Sequence, residues 1–184
     1  MKNKSTSFRE QFELNNKVAV VTGGTGILGK RFCAGLAEFG AKVAVVDLDE
    51  SNAVVYANEL QEIYGVECVG IACDVRRPDS IKNMTDDVEK ILGPIEILHN
   101  NAASKGSDLE KFLTPLEEYS LDTWNEVMSV NLDGMFLVAQ AIGSKMAERG
   151  CGSIIQTASI YGSTMGPDQN IYEGSEYMGM HINT

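Results

Sequence analysis

One stretch leaves few folds open to this chain. Val18-Ala-Val-Val-Thr-Gly-Gly-Thr-Gly-Ile-Leu-Gly29 is a short apolar run that ends in glycines, and a helical pattern follows at once. Gly24-Thr25-Gly26-Ile27-Leu28-Gly29 spells G-x-G-x-x-G, and in a strand–turn–helix each glycine has a physical task. Gly23 and Gly24 are expected to take the positive φ of a tight turn. Gly26, without a Cβ, lets a pyrophosphate approach the backbone, and Gly29 lets the new helix sit close on the strand. The helix N-terminus offers N–H groups and partial positive charge to phosphate. An ordinary glycine-rich loop is the alternative, and the strand before and helix after weigh against it.

The rest of the chain repeats this alternation. Strands are expected at Lys17–Val21, Lys42–Asp47, Val66–Cys73, Ile95–His99 and Ser153–Ala158. Between them the spacing predicts a helix from Gly26 to Phe39, with Leu28, Phe32, Leu36 and Phe39 inward and Gly40 capping it. A second runs from Asp49 to Tyr64, with Ala53, Ala57, Leu60 and Tyr64 inward and Gly65 stopping it. A third opens at Pro78 and carries Ile81, Met84, Val88 and Leu92. A polar loop then leads to Ser120, the expected N-cap of a long helix whose stripe is Trp124, Met128, Leu132, Met135, Ala139, Ile142 and Met146. Such alternation implies an α/β fold, a Rossmann-type doubly wound parallel sheet of about five strands in three αβα layers, with ligand at the carboxyl ends of the strands.

Composition narrows the partners. The net charge of −11 argues against nucleic acid, whose binding faces are basic. No apolar run approaches the ~18 residues of a membrane span. Residues 1–16 are polar, without a signal-peptide core, and read as a flexible arm before a domain at 17–184 in a cytoplasmic protein. Cys33, Cys68, Cys73 and Cys151 show no C-x-x-C and, with only His99 and His181, no metal spacing, so reduced thiols are expected. Cys68 and Cys73 should face opposite sides of the sheet.

Several polar residues fall at strand ends. Asp47 ends the second strand, about where an acid meets an adenosine ribose in such folds. It can accept from both hydroxyls and repel a 2′-phosphate; capping the next helix is the compatible alternative. Asp74 follows the third strand and either accepts from an adenine amine or is a solvated loop acid or turn residue. Asn100-Asn101-Ala102-Ala103 follows the fourth.

Together with Asn131 in Val130-Asn-Leu-Asp-Gly134 and with Thr157-Ala-Ser159, these motifs closely resemble the short-chain dehydrogenase/reductases, over about Phe12 to Tyr172. The resemblance implies NAD(P)-dependent interconversion of an alcohol and a carbonyl, NAD being expected rather than NADP. It places Gly23, Gly26 and Gly29 around the pyrophosphate, Asp47 on the ribose and Asp74 near adenine, counts Thr25, Ile27, Leu28, Leu48 and Val75 among the cofactor-binding residues, and sets Asn101, Ala102 and Ala103 beside the cofactor. It makes Asn131, Ser159 and Tyr172 catalytic: Asn131 holding a water of a proton relay, Ser159 bonding the substrate oxygen. It also implies a small-molecule alcohol or carbonyl substrate and a dimeric or tetrameric complete protein. The alternatives for Asn131 and Ser159 are a locally satisfied helix amide and a turn hydroxyl.

Two features depart from the family. T-G-x-x-G-x-x-G is the spacing of its extended, sugar-nucleotide members, so an epimerase or dehydratase stands as the rival enzyme and a non-catalytic dinucleotide-binding regulator as the rival of another class. The remaining motifs resemble the classical members. The second departure touches the chemistry, which rests in the family on Tyr-x-x-x-Lys. Tyr172 is followed four residues on by Glu176, Tyr177 by His181, and no lysine follows Lys145. The expectation is a chain cut before the catalytic helix.

Overall fold

The computed structural model describes residues 7 and 9–159. Five strands, β1 (Val18–Thr22), β2 (Lys42–Asp47), β3 (Cys68–Ala72), β4 (Ile95–Asn100) and β5 (Ser153–Gln156), form one sheet in the order β3-β2-β1-β4-β5. Every pairing is parallel. The chain winds outward from β1 to β3, then crosses to β4 and β5 on the other side, so the direction reverses beside β1. In an open α/β sheet that reversal opens a crevice at the strands' carboxyl ends.

Each face of the sheet has its own core. On one, Val18, Val20, Ala44, Val46 and Leu98 pack with Ile81, Met84 and Val88 of α3 (Pro78–Ile91) and Val138, Ile142 and Met146 of α6 (Met135–Arg149). On the other, Ala19, Val21, Val43 and Val45 meet Cys33 and Ala37 of α1 (Ile27–Glu38) and Ala53, Ala57 and Leu60 of α2 (Glu50–Tyr64). Side chains that alternate between two buried faces explain why β1 and β2 read as continuous apolar runs. Cys68 and Cys73 do fall in opposite cores. Gly65 caps α2 at φ 68°, and Gly40, at φ 92°, follows α1.

Several sequence expectations are corrected. The buried line of α1 is Gly29, Cys33 and Ala37, not the predicted stripe: Leu28 and Phe39 are exposed, Phe32 and Leu36 half-buried. Small residues let α1 press on the sheet, so its large apolar residues stand to the side. β3 begins at Cys68 rather than Val66, after a loop that follows the Gly65 cap. The polar loop before Ser120 contains a short helix, α4 (Leu109–Phe112), which buries Phe112.

Ser120 caps α5 (Leu121–Met128) through Thr123 N–H, as expected. The long helix is not α-helical throughout, because Ser129–Gly134 is a π-helical turn between α5 and α6. The turn takes one residue out of phase. Over the 19 positions from Thr123 to Ile142 an unbroken α-helix would swing about 100°, and the π turn removes that swing. Thr123 and Val127 are therefore buried along with Val138, Ile142 and Met146, while Trp124 and Leu132 of the predicted stripe are exposed. Within Leu121–Arg149 a window of 18 residues reaches a mean hydropathy of 1.2, enough by length and composition alone to cross a membrane. Here it packs against β4 and α3.

Candidate functional site: a strand-end cleft

The turn after β1 is built by contact. Gly23 has φ 63°, which a side chain would strain, and a Cβ would stand 3.0 Å from Ala102 Cα. Gly24, expected at positive φ, is not among the positive-φ glycines. It is needed for space, since its Cβ would lie 2.8 Å from Val45 Cγ1. At Gly29 a Cβ would overlap the Gly23 carbonyl, which fixes the first turn of α1 against the loop. Gly26 has only the Gly23 carbonyl oxygen near its missing Cβ, at 3.2 Å, so the backbone there can be approached closely. No side chain caps α1, and Ile27 and Leu28 in its first turn are exposed. Donors left without partners at a helix start suit an anion.

A hydroxyl ties this turn to β4. Thr22, fully buried, donates to Asn100 Oδ1 at 3.1 Å and accepts from the N–H groups of Asn101 (2.9 Å) and Ala102 (3.0 Å). Asn101 Nδ2 donates to the Thr22 carbonyl at 3.1 Å, and Asn100 Nδ2 to the Met135 carbonyl at 2.7 Å. Thr22 and Asn100 were not singled out in the sequence, although the paired asparagines after an apolar strand were the available signal.

Asn131 lies in the π turn. Its Oδ1 accepts from Ser104 N–H at 2.7 Å and its Nδ2 donates to the Ser104 carbonyl at 3.0 Å. The partner is 27 residues away, so the amide is satisfied from outside its own helix. Gly134, in the same turn, lets the helix approach Val75, whose Cγ2 would lie 2.8 Å from a Cβ.

The strand ends enclose a cleft of about 180 Å³ lined by Gly23, Asp47, Leu48, Asp74, Val75 and Ala102, among others, with Ala103, Ser104 and Val130 on its far wall. Asp47 is half-buried: Oδ2 accepts from Thr25 N–H (2.9 Å) and Thr25 Oγ1 (2.5 Å), Oδ1 from Leu48 N–H (2.8 Å). It does not cap α2, a task that Asp49 performs. Asp74 is engaged by Arg76, whose Nε and Nη2 donate to its two oxygens at 2.9 and 2.8 Å. Those bonds hold the Asp74 carboxyl below the usual carboxylate range. With the Arg76 N–H also on Oδ1 at 3.0 Å, three donors occupy Asp74 and Oδ2 keeps one acceptor site.

The remaining expected residues separate from this group. Ser159 is exposed, three residues past the end of β5. Tyr172, with Glu176, Tyr177 and His181, lies outside the described residues. The buried Cys33 thiol is pushed up to about 12, chiefly by burial, which makes it a core residue rather than a nucleophile. Among the described residues no cluster suits a metal.

The sequence profile of the short chain dehydrogenases matches residues 17–179. The chain belongs to the short-chain dehydrogenase family. It is 37% identical to the D-threitol dehydrogenase of Mycolicibacterium smegmatis, over 87% of this chain and 58% of that protein. It is 30% identical to the NADP-dependent mannitol dehydrogenase of Alternaria alternata, over 86% of this chain and 59% of that one. Among solved structures, NAD+-bound xylitol dehydrogenase superposes with a TM-score of 0.76 at 31% identity, covering 83% of this chain and 56% of the other. The chain spans about three-fifths of the length of these relatives. All three are dehydrogenases by name, which favours the classical reading over the epimerase, dehydratase and regulatory ones.

Proposed function

We propose that this chain carries the cofactor-binding part of an NAD-linked dehydrogenase that interconverts a polyol and its keto form. The observation that supports it most is the cleft itself: a half-buried carboxylate at the end of β2 beside an uncapped helix start and a glycine that leaves its backbone open. These features fit a dinucleotide. The first turn of α1, with Gly26, would receive the pyrophosphate, Asp47 the ribose hydroxyls, and Val75 the adenine edge. The polyol class rests on the names of the relatives. When bound, the dinucleotide supplies or accepts the hydride.

The chain's own residues do the rest. Asn131 braces the wall at Ser104, and Ser159 donates to the substrate oxygen. Tyr172 is the acid–base candidate, but Glu176 four residues on would raise a phenol's pKa where the family's lysine lowers it. The 184 residues accordingly bind the dinucleotide and turn over no substrate at a normal rate. Assembly with a second copy would use the exposed apolar face of Leu121, Trp124, Leu132 and Phe136.

A competition titration of NAD+ against NADP+ tests the reading. Tighter NAD+ binding that is lost in Asp47→Ala supports it, and equal or tighter NADP+ binding refutes it. Assays with threitol, xylitol and mannitol then test turnover. Activity that vanishes in Tyr172→Phe would show the tyrosine to work without a lysine.

A further inference from the structure

Resting on the dinucleotide reading, we propose that the Ser104 hydroxyl donates a hydrogen bond to a sugar oxygen of the bound dinucleotide, and that Glu126 is the positioning residue that aims it. Ala103, Ser104 and Val130 make the far wall of the cleft, and Ser104 alone of the three carries a polar side chain. Its main chain is engaged, since Asn131 takes both the N–H and the carbonyl. Its hydroxyl accepts from Gly106 N–H at 3.0 Å. A hydroxyl has one proton and two lone pairs. Among the described residues nothing accepts that proton, so a half-buried donor is left at the cleft. A ligand acceptor there makes a bond that the empty wall cannot. Asp47, Asp74 and Arg76 give the same space a net negative charge, which favours a neutral sugar oxygen over a phosphate oxygen as that acceptor.

What fixes the hydroxyl lies outside the cleft. Residues 104–107 turn with Gly106 at φ 80°, and side chains hold three of their N–H groups. Asn131 holds that of Ser104, the Ser104 hydroxyl that of Gly106, and Glu126 Oε1 that of Ser107 at 2.8 Å. Glu126 Oε2 lies against the turn as well, 3.3 Å from where a Gly106 Cβ would stand. The one carboxylate thus grips Gly106 and Ser107 together, and the Gly106 N–H it steadies is the one that orients the Ser104 hydroxyl. Glu126 is half-buried in the last turn of α5, and Asn131 follows five residues on. On an unbroken α-helix two such side chains would point about 140° apart. With the π turn beginning between them, both reach the same short loop.

The test is NAD+ titrated calorimetrically into the whole chain. Ser104→Ala keeps both main-chain groups that Asn131 holds and should weaken NAD+ about tenfold, the scale of one hydrogen bond to a neutral group. Glu126→Ala should weaken it by about the same factor. Glu126→Gln, whose amide oxygen can still accept from Ser107 N–H, should stay within about twofold of the parent. Ser104→Ala combined with Glu126→Ala should bind within about twofold of Ser104→Ala alone, because a residue that acts through the hydroxyl then has nothing left to position. A part in stability alone would not cancel in that way. Glu126→Asp, too short for Ser107, reads the same loss if Glu126→Ala does not fold, and thermal unfolding identifies that case. Unchanged NAD+ binding in Ser104→Ala overturns the inference while leaving the dinucleotide reading intact. So do losses that multiply in the double variant, and so does a glutamine variant as weak as the alanine one. A parent that does not bind NAD+ overturns both.

Discussion

The two sides of β1 are held together by different means. Toward β2 and β3 the parts meet by steric fit. A Cβ at Gly29 would overlap the Gly23 carbonyl, one at Gly70 would overlap the backbone of α2, and every β1 residue is buried. Toward β4 and β5 the apolar packing of Leu98 with α6 is joined by polar links: the Thr22 hydroxyl, the Asn100 and Asn101 amides, and the Asn131 pair with Ser104. That side ends in β5, an edge strand whose four residues are all exposed. Close packing tolerates no added atom, whereas hydrogen bonds can be lost singly, each for a limited cost. The difference teaches that the ribose side of the cleft is rigid by exclusion and the opposite wall by bonding.

The sharpest way to break this contrast is Gly29→Ala. With no room beside the Gly23 carbonyl, the variant should lose about 3 kcal/mol or more in urea unfolding, and dinucleotide binding with it. A loss under about 1 kcal/mol would mean that the turn yields. Thr22→Val comes next. It keeps the shape but strands two half-buried N–H groups and the Asn100 amide oxygen, and it should cost about 2–3 kcal/mol by the same measurement. A smaller loss would show the polar links to be decorative.

A pH titration of stability probes the β4–β5 side further. His99 on β4 is buried, stacks on Phe32 with ring centroids 4.0 Å apart, and shares a 3.3 Å hydrogen bond with Thr157. Burial lowers its pKa from the ordinary 6.5, so the unfolded chain binds the proton more readily. The stabilisation is therefore complete above about pH 6.5 and declines as pH falls from there through the folded value. His99→Phe should remove that part of the slope in melts between pH 5 and 7, and a slope unchanged by the substitution would refute the assignment. The smallest effect is expected at β5. Ile155, 43% exposed, changed to Thr should alter stability by less than about 1 kcal/mol. A larger loss would place this edge among the parts that packing holds.

The sequence made the sheet legible because strands buried on both faces are continuous apolar runs, and their ends fell within one or two residues of expectation. Ser120, Gly65 and Pro78 marked their helix boundaries for the same reason: local backbone chemistry needs no distant partner. What was missed depended on distant partners. The buried line of α1 is made of small residues, and a search for large apolar ones lands on its flanks. The π turn leaves no mark in a stripe counted at α-helical spacing. Thr22 looked like the end of a strand, and only the fold shows that its hydroxyl meets two asparagines 78 and 79 residues on. The sequence left Asp74 open between an adenine acceptor and a loop or turn acid, because its engagement by Arg76 is a matter of side-chain direction.

The clamp at Ser104 bears on how members of such a family can diverge. Asn131 addresses the main chain of residue 104, one N–H and one carbonyl, and not its side chain. Almost any amino acid with an amide proton offers those same two groups. Among the described residues the Ser104 hydroxyl itself accepts from Gly106 N–H, at 3.0 Å. Position 104 can therefore drift, altering the character of the cleft's far wall while the wall stays in place. Position 131 has no such liberty: aspartate lacks the donor, leucine both groups, and glutamine is a methylene too long.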